Sequence, residues 1–307
     1  MDCRLRGRIL RFAKPKTTLF LLHPAVCFFA NNLTTQASED STPTSTYAVL
    51  GATGNTGSEL VKYLLCRPST RIHVYARSAS RLRSMHPSLS SNPNVSIHVG
   101  DLTDIPLLAS CLRGCNAVFS TVASNTNQPG MSIAQRTAHS IVSALEMLRE
   151  ESRATNSQEP WKCPTVVMLS AAPLNPTLSA KIPKPVRWLL MKSCCYNFQD
   201  LRLATEYFRA HEWIPLILAQ PGGILHAKSQ GVRLSTHENT PMISYAALAR
   251  GMVLMAEQDE KWIGQGVGLI AEDGMGFHFS IFGNVFLYLL PGLLYAFFPR
   301  AWNLIHK

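Results

Sequence analysis

Residues 47–64 read YAVLGATGNTGSELVKYL and predict a strand, a glycine-rich turn and a helix in direct succession. Tyr47 begins a short β-prone run, and apolar residues recur at helical spacing after the turn. Gly51, Gly54 and Gly57 stand in the turn at G-x-x-G-x-x-G spacing. Such glycines allow a tight turn, close approach of the backbone to a diphosphate, and packing of the helix on the strand. The stretch therefore predicts a nucleotide-binding loop at a helix N-terminus.

The polar residues between these glycines belong to the same predicted site, and they are Thr53, Asn55 and Thr56. A polar loop without a ligand is the alternative, because a glycine pattern alone is weakly specific. The strand before the turn and the helix after it favour the nucleotide-binding interpretation.

The end of the predicted second strand bears on the choice of cofactor. Residues 71–76 alternate between apolar and polar side chains, as a strand does, and Arg77 follows them. In nucleotide-binding α/β folds an acidic residue here binds the ribose 2′-hydroxyl of NAD, whereas an arginine accommodates a 2′-phosphate. Arg77 therefore predicts NADP, the alternative being a solvated loop arginine.

The third predicted strand, residues 94–99, is followed by Gly100, Asp101 and Leu102. We expect Asp101 and Leu102 to lie at the adenine side of the cofactor, although Asp101 could equally cap the helix that begins near Ile105. Further strands are predicted over residues 116–121, 165–170 and 213–219, alternating with helical patterns. This alternation predicts a doubly wound, Rossmann-type α/β fold with a parallel sheet.

Composition excludes several other classes of protein. With 307 residues, 46% hydrophobic and 16% charged, the chain is globular rather than disordered. The net charge is +10, but residues 1–16 alone carry +5 and the remaining basic residues are scattered, so no nucleic-acid partner is expected. The eight cysteines form no C-x-x-C motif, which favours free thiols in a reducing compartment such as the cytoplasm. The ten histidines show no metal-ligand spacing, so no metal is expected.

The two ends of the chain differ from its middle. Residues 1–45 join basic residues, an apolar run and a Ser/Thr-rich segment, a layout shared by a targeting leader, an unstructured extension and an upstream start in a gene model. Residues 274–299 contain no Asp, Glu, Lys or Arg, so a core helix, an apolar lid, peripheral membrane contact and a membrane span are all open, the lid and peripheral contact being favoured. The predicted domains are a leader (1–45), a nucleotide-binding domain with substrate loops (46–265) and an apolar C-terminal portion (266–307).

Six features in this order carry a resemblance to a known family. They are GATGNTG at 51–57, Arg77, Gly100-Asp101-Leu102, Ser170 after the fifth strand, Gln220-Pro221-Gly222-Gly223, and ISYAALA at 243–249. The chain resembles the NmrA-like atypical short-chain dehydrogenase/reductases, and among them the fungal averufin oxidase A family of polyketide-pathway oxidoreductases. The resemblance covers residues 46–265 and places Pro221 beside the cofactor.

The resemblance also implies a catalytic group. Members of the wider superfamily use a serine together with a Y-x-x-x-K pair, whose lysine lowers the pKa of the tyrosine. Ser170 and Tyr196 match the serine and the tyrosine, but Asp200 stands where the lysine would be. If the register is moved to Phe198, Arg202 takes the place of the lysine. The expected catalytic residues are therefore Ser170, Tyr196 and Arg202, the alternatives being a structural tyrosine and a solvated arginine.

The resemblance implies an NADP(H)-dependent oxidoreductase that acts on an aromatic polyketide intermediate in fungal secondary metabolism. Two alternatives stay open. One is a non-catalytic NADP-binding sensor, favoured by the broken Y-x-x-x-K pair. The other is a cofactor-dependent isomerase or cyclase. The expected location is cytoplasmic, with membrane association or organelle targeting through the two end segments as alternatives.

Overall fold

The computed structural model describes residues 45–124, 127–155, 161–228, 231–272, 289–299 and 302. The predicted leader lies outside this part of the chain up to residue 44, as do residues 273–288 of the predicted apolar segment. The strands are β1 (Ser45–Leu50), β2 (Thr70–Ala76), β3 (Val95–Val99), β4 (Ala117–Ser120), β5 (Thr165–Leu169), β6 (Leu216–Ala219), β7 (Gly223–Leu225), β8 (Val232–Ser235), β9 (Met242–Ser244) and β10 (Gly266–Ala271).

The helices alternate with these strands. They are α1 (Asn55–Leu65), α2 (Ala79–Met85), α3 (Ile105–Leu112), α4 (Ile133–Ala154), α5 (Lys184–Ser193), α6 (Cys195–Arg209), α7 (Tyr245–Glu257) and α8 (Asp259–Trp262). Residues 289–297 form a further helix, the C-terminal helix.

Eight of the strands form one sheet in the order β3-β2-β1-β4-β5-β6-β10-β8. Its neighbouring strands are parallel except β8, which runs antiparallel to β10. From β1 the chain builds outward first to β2 and β3, then returns to the other side with β4 and β5. The predicted doubly wound α/β fold is confirmed, and the reversal leaves a crevice at the carboxyl ends of β1 and β4, where such sheets bind ligands.

Both faces of the sheet are buried, as parallel sheets require. Along β1, Tyr47 and Val49 pack into one apolar cluster with α1 and α7, while Ala48 and Leu50 pack into a second cluster with α3, α4 and α6. The side chains of a strand alternate between its two faces, so one short apolar run supplies both clusters. These two layers hold the carboxyl edge of the sheet in place.

The structure extends two elements beyond their predicted ends. β10 pairs with β6 through Gly266↔Leu218 and Val267↔Ala219. The sheet therefore continues past residue 265, the predicted end of the nucleotide-binding domain. The apolar periodicity predicts a helix from about residue 132 to 149 with a surface loop over 150–162, but α4 runs to Ala154. The last turn of α4 is polar because it is solvated. There a carboxylate oxygen of Glu151 lies 2.7 Å from the guanidinium group of Arg113. A polar composition alone does not end a helix.

The C-terminal helix packs beside the junction of α5 and α6. A Cβ atom at Gly292 would overlap the carbonyl oxygen of Ser193, so the two backbones approach closely. Leu289 and Tyr295 are buried, whereas Leu290, Leu294 and Phe297 are exposed. No helix within the described residues is long and apolar enough to cross a membrane.

Candidate active site

The glycine turn between β1 and α1 leaves no room for side chains at two of its glycines. Gly51 has a φ of +89°, in the left-handed region that favours glycine. A Cβ atom at Gly51 would lie 2.9 Å from Oγ1 of Thr121, and one at Gly57 would overlap the carbonyl oxygen of Gly51. The N–H of Gly54 donates to that oxygen at 2.8 Å. The glycine spacing therefore keeps the turn tight against α1 and the segment after β4.

The first turn of α1 is open to an anionic ligand. Gly54 is its N-cap, no side chain caps the helix, and the first turn contains no acidic residue. Uncapped N–H groups and the positive end of the helix dipole bind phosphate. This cradle, which a Cβ atom would fill, fits the diphosphate of a dinucleotide. The residues around it are Gly51, Thr53, Gly54, Asn55, Thr56 and Gly57.

Two charged side chains lie at the carboxyl ends of β2 and β3. Arg77 and Asp101 are both exposed, and Leu102 is half-buried. The N–H and the hydroxyl of Thr103 donate to Oδ1 of Asp101 at 3.0 and 2.9 Å. These bonds, with a smaller contribution from Arg77, hold the pKa of Asp101 below its usual range. Asp101 therefore remains an exposed carboxylate close to Arg77, at the side where the adenosine of a dinucleotide is expected.

The cap of α3 is a different residue from the one that the sequence suggested. The side chain of Asp104 accepts the N–H of Leu107 at 3.1 Å. The alternative role of Asp101 as a helix cap is therefore wrong. Its carboxylate instead closes a local turn with Thr103, and Asp101 itself lies four positions before the first residue of the helix.

Ser170 carries a buried hydroxyl without a hydrogen-bond partner. The residue directly follows β5, its side chain is 6% exposed, and its N–H donates to the carbonyl oxygen of Ala219 at 2.8 Å. Within the described residues its Oγ has no hydrogen-bond partner. Burying a hydroxyl in this way costs about 1–3 kcal/mol, which a ligand oxygen would offset. The structure therefore leaves an unsatisfied hydroxyl, that of Ser170, directly after β5 at the carboxyl edge of the sheet.

The turn that contains Pro221 supports the segment after Ser170. The N–H of Ala172 donates to the carbonyl oxygen of Pro221 at 2.9 Å, and Pro221 itself is buried. This bond joins the turn after β6 to the turn after β5. The main chain of Pro221 therefore holds the Ser170 segment in place, next to the predicted cofactor site.

A cleft of about 170 Å³ opens between the end of β4, the start of α4 and the start of α6. Its lining residues are Ala123, Ser124, Ala134, Cys194, Asn197, Phe198, Asp200 and Leu201. Burial raises the pKa of Cys194 to about 11, so this residue lines the cleft as a neutral thiol. The small residues that follow the predicted fourth strand suit a loop beneath the nicotinamide ribose, and the structure places two of them, Ala123 and Ser124, in the lining of this cleft.

Tyr196 stands at the start of α6 and is held at both ends. Its main-chain N–H donates to Oδ1 of Asn127 at 3.0 Å, and its hydroxyl donates to the carbonyl oxygen of Tyr295 at 3.3 Å. Burial raises the pKa of Tyr196, which is the opposite of what a neighbouring lysine does in the Y-x-x-x-K arrangement. Tyr196 therefore stays protonated, and it links α6 to the C-terminal helix.

Asp200, which replaces the lysine of that arrangement, holds another helix in place. Its side chain is 2% exposed. Oδ2 accepts the N–H of Ala134 at 2.9 Å, and Oδ1 accepts the N–H and the side-chain amide of Gln135 at 3.0 and 3.1 Å. These are groups of the first turn of α4, where Ser132, the N-cap, makes no side-chain capping bond. Asp200 thus caps α4 from α6 instead of assisting a tyrosine.

The alternative register places Phe198 and Arg202 at the tyrosine and lysine positions. Phe198 lines the cleft, but its ring has no proton to give. The side chain of Arg202 is 62% exposed and lies 3.9 Å from Glu206 on the same helix. The structure therefore brings neither residue into a proton-transfer arrangement.

Asn127 makes a contact beside the cleft that the sequence did not reveal. Its Oδ1 also accepts the N–H of Asn197, at 3.1 Å, so one side chain caps α6 and fixes the segment after β4 beside the cleft. An asparagine in a loop gives no distinctive pattern, and only the tertiary contact shows its role.

The sequence model of the NAD(P)H-binding family matches residues 51–259. The chain belongs to this family. Curated relatives that cover most of the chain are the fungal proteins named oxidoreductase ordB of Dothistroma septosporum and oxidoreductase aflX of Aspergillus parasiticus. They are 36% and 35% identical over 260 and 261 residues, each spanning 84% of this chain and 94% of its relative. The predicted membership of a fungal oxidoreductase family is confirmed, and the chain is an oxidoreductase with a nicotinamide dinucleotide as its cofactor.

Two solved structures agree with the fold. A short-chain dehydrogenase/reductase of Veillonella parvula has a TM-score of 0.57 at 19% identity and covers 76% of this chain and 99% of its own. A second one from the same organism, solved in complex with NADP, has a TM-score of 0.57 at 17% identity. It covers 74% of this chain and 95% of its own. At these identities the likeness shows the fold alone.

Proposed function

We propose that the protein is an NADP(H)-dependent oxidoreductase that acts on an aromatic polyketide intermediate of fungal secondary metabolism. The observation that carries the proposal is the buried, unpaired hydroxyl of Ser170 at the carboxyl edge of a nucleotide-binding sheet. The fungal origin of the relatives supports the metabolic setting. The aromatic class of substrate rests on the family resemblance of the sequence motifs.

When bound, NADPH supplies the hydride. The residues of the chain bind and orient the two reactants around it. The glycine turn and the first turn of α1 hold the diphosphate, and Arg77 holds the 2′-phosphate. The hydroxyl of Ser170 donates to the substrate oxygen and polarises it. The hydroxyl of Tyr196 keeps its proton and donates it in a hydrogen bond to the carbonyl oxygen of Tyr295, so Tyr196 orients the C-terminal helix rather than relaying protons.

A sensor without catalysis is the rival function, and one observation favours it. Asp200 occupies the lysine position, and its carboxylate accepts hydrogen bonds from the first turn of α4. The described residues therefore lack the proton relay of the wider superfamily. An isomerase or cyclase that uses the cofactor without net redox change is a second rival, left open by the same feature.

One experiment separates the three functions. Purified full-length protein is incubated with NADPH and a panel of hydroxylated anthraquinones and xanthones, and both NADPH oxidation and products are followed. Product formation with one NADPH oxidised per molecule supports the proposal. Product formed without NADPH oxidation identifies an isomerase or cyclase. NADPH binding without turnover of any compound favours the sensor.

The choice of NADP over NAD depends on Arg77 in this proposal. We expect Arg77→Glu to weaken NADPH binding about 10- to 100-fold, because it replaces a charge-assisted contact with repulsion of the 2′-phosphate. The affinity for NADH should stay the same or increase. Fluorescence titration with both cofactors measures the change.

Arg71→Glu is the matched control, since Arg71 is an exposed arginine at the opposite end of β2. It should leave both affinities unchanged. Equal losses of NADPH affinity in the two variants would show a general charge effect and remove Arg77 from the site.

Peripheral contact with an anionic membrane surface completes the proposal for a cytoplasmic enzyme of apolar substrates. Trp188 on α5 is 53% exposed, and the lysines Lys184 and Lys192 on the same helix are exposed too. Residues 184–193, which form α5, contain three basic residues and no Asp or Glu, so the helix itself is basic. Exposed aromatic and apolar side chains beside lysines are typical of helices that lie on anionic bilayers.

Vesicle flotation tests this contact. The protein should float with phosphatidylcholine vesicles that contain phosphatidylserine and should not float with phosphatidylcholine alone. Trp188→Glu should reduce the bound fraction about tenfold. Met85→Glu changes an exposed methionine on α2 and should have no effect. Equal binding of the two variants would exclude α5 as the contact surface.

A further inference from the structure

A short ladder beside the main sheet brings two motifs of the sequence together. β7 and β9 form a two-stranded parallel pair with Ile224 opposite Ile243 and Leu225 opposite Ser244. The next residues in this register are His226 and Tyr245. Their rings lie against each other, with centroids 4.7 Å apart and planes at 45°. The QPGG turn and the ISYAALA helix thus present a histidine and a tyrosine side by side.

Tyr245 also reaches the nucleotide-binding loop. Nδ2 of Asn55, the first residue of α1, donates to the hydroxyl oxygen of Tyr245 at 3.2 Å. Since the amide is the donor, the hydroxyl proton of Tyr245 remains available, and no other described residue accepts it. Asn55 and His226 are exposed and Tyr245 is half-buried, so the group is open to a ligand.

The position of this group relates it to one part of a dinucleotide. The chain leads into β7 from Pro221, whose carbonyl oxygen holds the turn after Ser170, so β7 starts on the substrate side. Asn55, by contrast, stands at the uncapped start of α1, where the diphosphate is expected. Tyr245 therefore lies between the diphosphate and the substrate side.

We propose that Tyr245 and His226 form a second wall of the dinucleotide site and bind the nicotinamide-side phosphate from outside the glycine turn. Tyr245 donates its hydroxyl proton to a phosphate oxygen, and the imidazole of His226 supplies a ring N–H beside it. This inference rests on the proposed function, since it takes the dinucleotide as the ligand of the loop. It adds two binding residues that lie 171 and 190 positions from Asn55.

Fluorescence titration of the full-length protein with NADPH tests the proposal. Tyr245→Phe keeps the ring that packs on His226 and removes only the hydroxyl, and we expect about tenfold weaker NADPH binding. His226→Asn should weaken binding less, because the residue is exposed. Adenosine 2′,5′-bisphosphate lacks the nicotinamide-side phosphate, so its affinity, measured by competition or calorimetry, should be unchanged in both variants.

The chain offers a matched control for both substitutions. Tyr207 on α6 packs against His211 with centroids 4.8 Å apart, on the opposite face of the sheet from α1 and α7. Tyr207→Phe and His211→Asn repeat the same chemical changes there. Both should bind NADPH as the unmodified protein does.

A double-variant cycle separates direct contact from mere support of the loop. If Tyr245 binds phosphate, Tyr245→Phe should weaken NADPH binding in the Asn55→Ala background as well. No effect in that background would overturn the proposal, because Tyr245 would then act only through Asn55. Equal loss for NADPH and for the bisphosphate would also overturn it. If the unmodified protein binds neither ligand, the proposed function itself fails.

Discussion

Ser170→Ala is expected to lower kcat about 100- to 1,000-fold, the usual cost of removing one hydrogen-bond donor from the reacting oxygen. The hydroxyl of Ser170 makes no hydrogen bond that the fold depends on, since its Oγ is buried without a partner among the described residues. Its loss should therefore leave the free energy of unfolding unchanged or slightly higher. Steady-state kinetics with the substrate found in the screen, together with NADPH titration and thermal unfolding, measures all three quantities.

Ser193→Ala is the control for this result. Ser193 ends α5, is 2% exposed, and likewise has a buried Oγ without a partner in the described part of the chain. The same atom is removed from a residue that neither follows a strand of the sheet nor lines the cleft, so kcat should stay within about twofold of the unmodified value. If both serine variants lose activity equally, or if neither does, Ser170 is not the substrate-binding hydroxyl.

Asp200→Ala is expected to destabilise the protein by about 3 kcal/mol. The substitution leaves two main-chain N–H groups of α4 and the side-chain amide of Gln135 without their acceptor, in a place where Asp200 is 2% exposed. For a chain of this size the melting temperature should fall by roughly 6–12 °C. Thermal and urea unfolding measure the loss.

Asp104→Ala separates this effect from ordinary helix capping. Asp104 caps α3 through a single bond and is exposed, so its removal should cost about 1 kcal/mol. The loss of stability in Asp200→Asn should lie between the losses in Asp104→Ala and Asp200→Ala. The amide oxygen of asparagine still accepts one hydrogen bond, but its NH₂ group faces another donor. An Asp200→Asn variant of full stability that has lost kcat would contradict the structural role and make Asp200 a general base.

The sheet was largely predictable because its strands are marked by local patterns. Parallel strands with both faces buried are short apolar runs, and 165–170 is such a run, observed as Thr165–Leu169. The ends of elements were harder to predict where the composition of the chain did not match the structure. The last turn of α4 is polar, and a polar stretch reads equally as a loop or as the solvated end of a helix. β10 was separated from the sheet because its partner β6 lies far from it in sequence.

Some site residues were within reach of the sequence and others were not. The glycine turn, Arg77, Asp101 and Ser170 follow strand ends, and strand ends of a parallel sheet meet at one edge. The capping role of Asp200 was not predictable, because the N–H groups that donate to its carboxylate lie on α4, 66 and 65 positions away. The same holds for Asn127, whose partners are on α6.

The sequence by itself determined the strand, glycine turn and helix of residues 47–64, the doubly wound fold and the presence of a nucleotide-binding loop. These depend on spacing and periodicity within short stretches, where neighbours in sequence are neighbours in space. Only the tertiary structure decided that Asp200 caps α4, that Tyr196 donates to Tyr295, and that Tyr245 meets Asn55. Those contacts join residues 66, 99 and 190 positions apart, so they exist only after the elements pack together.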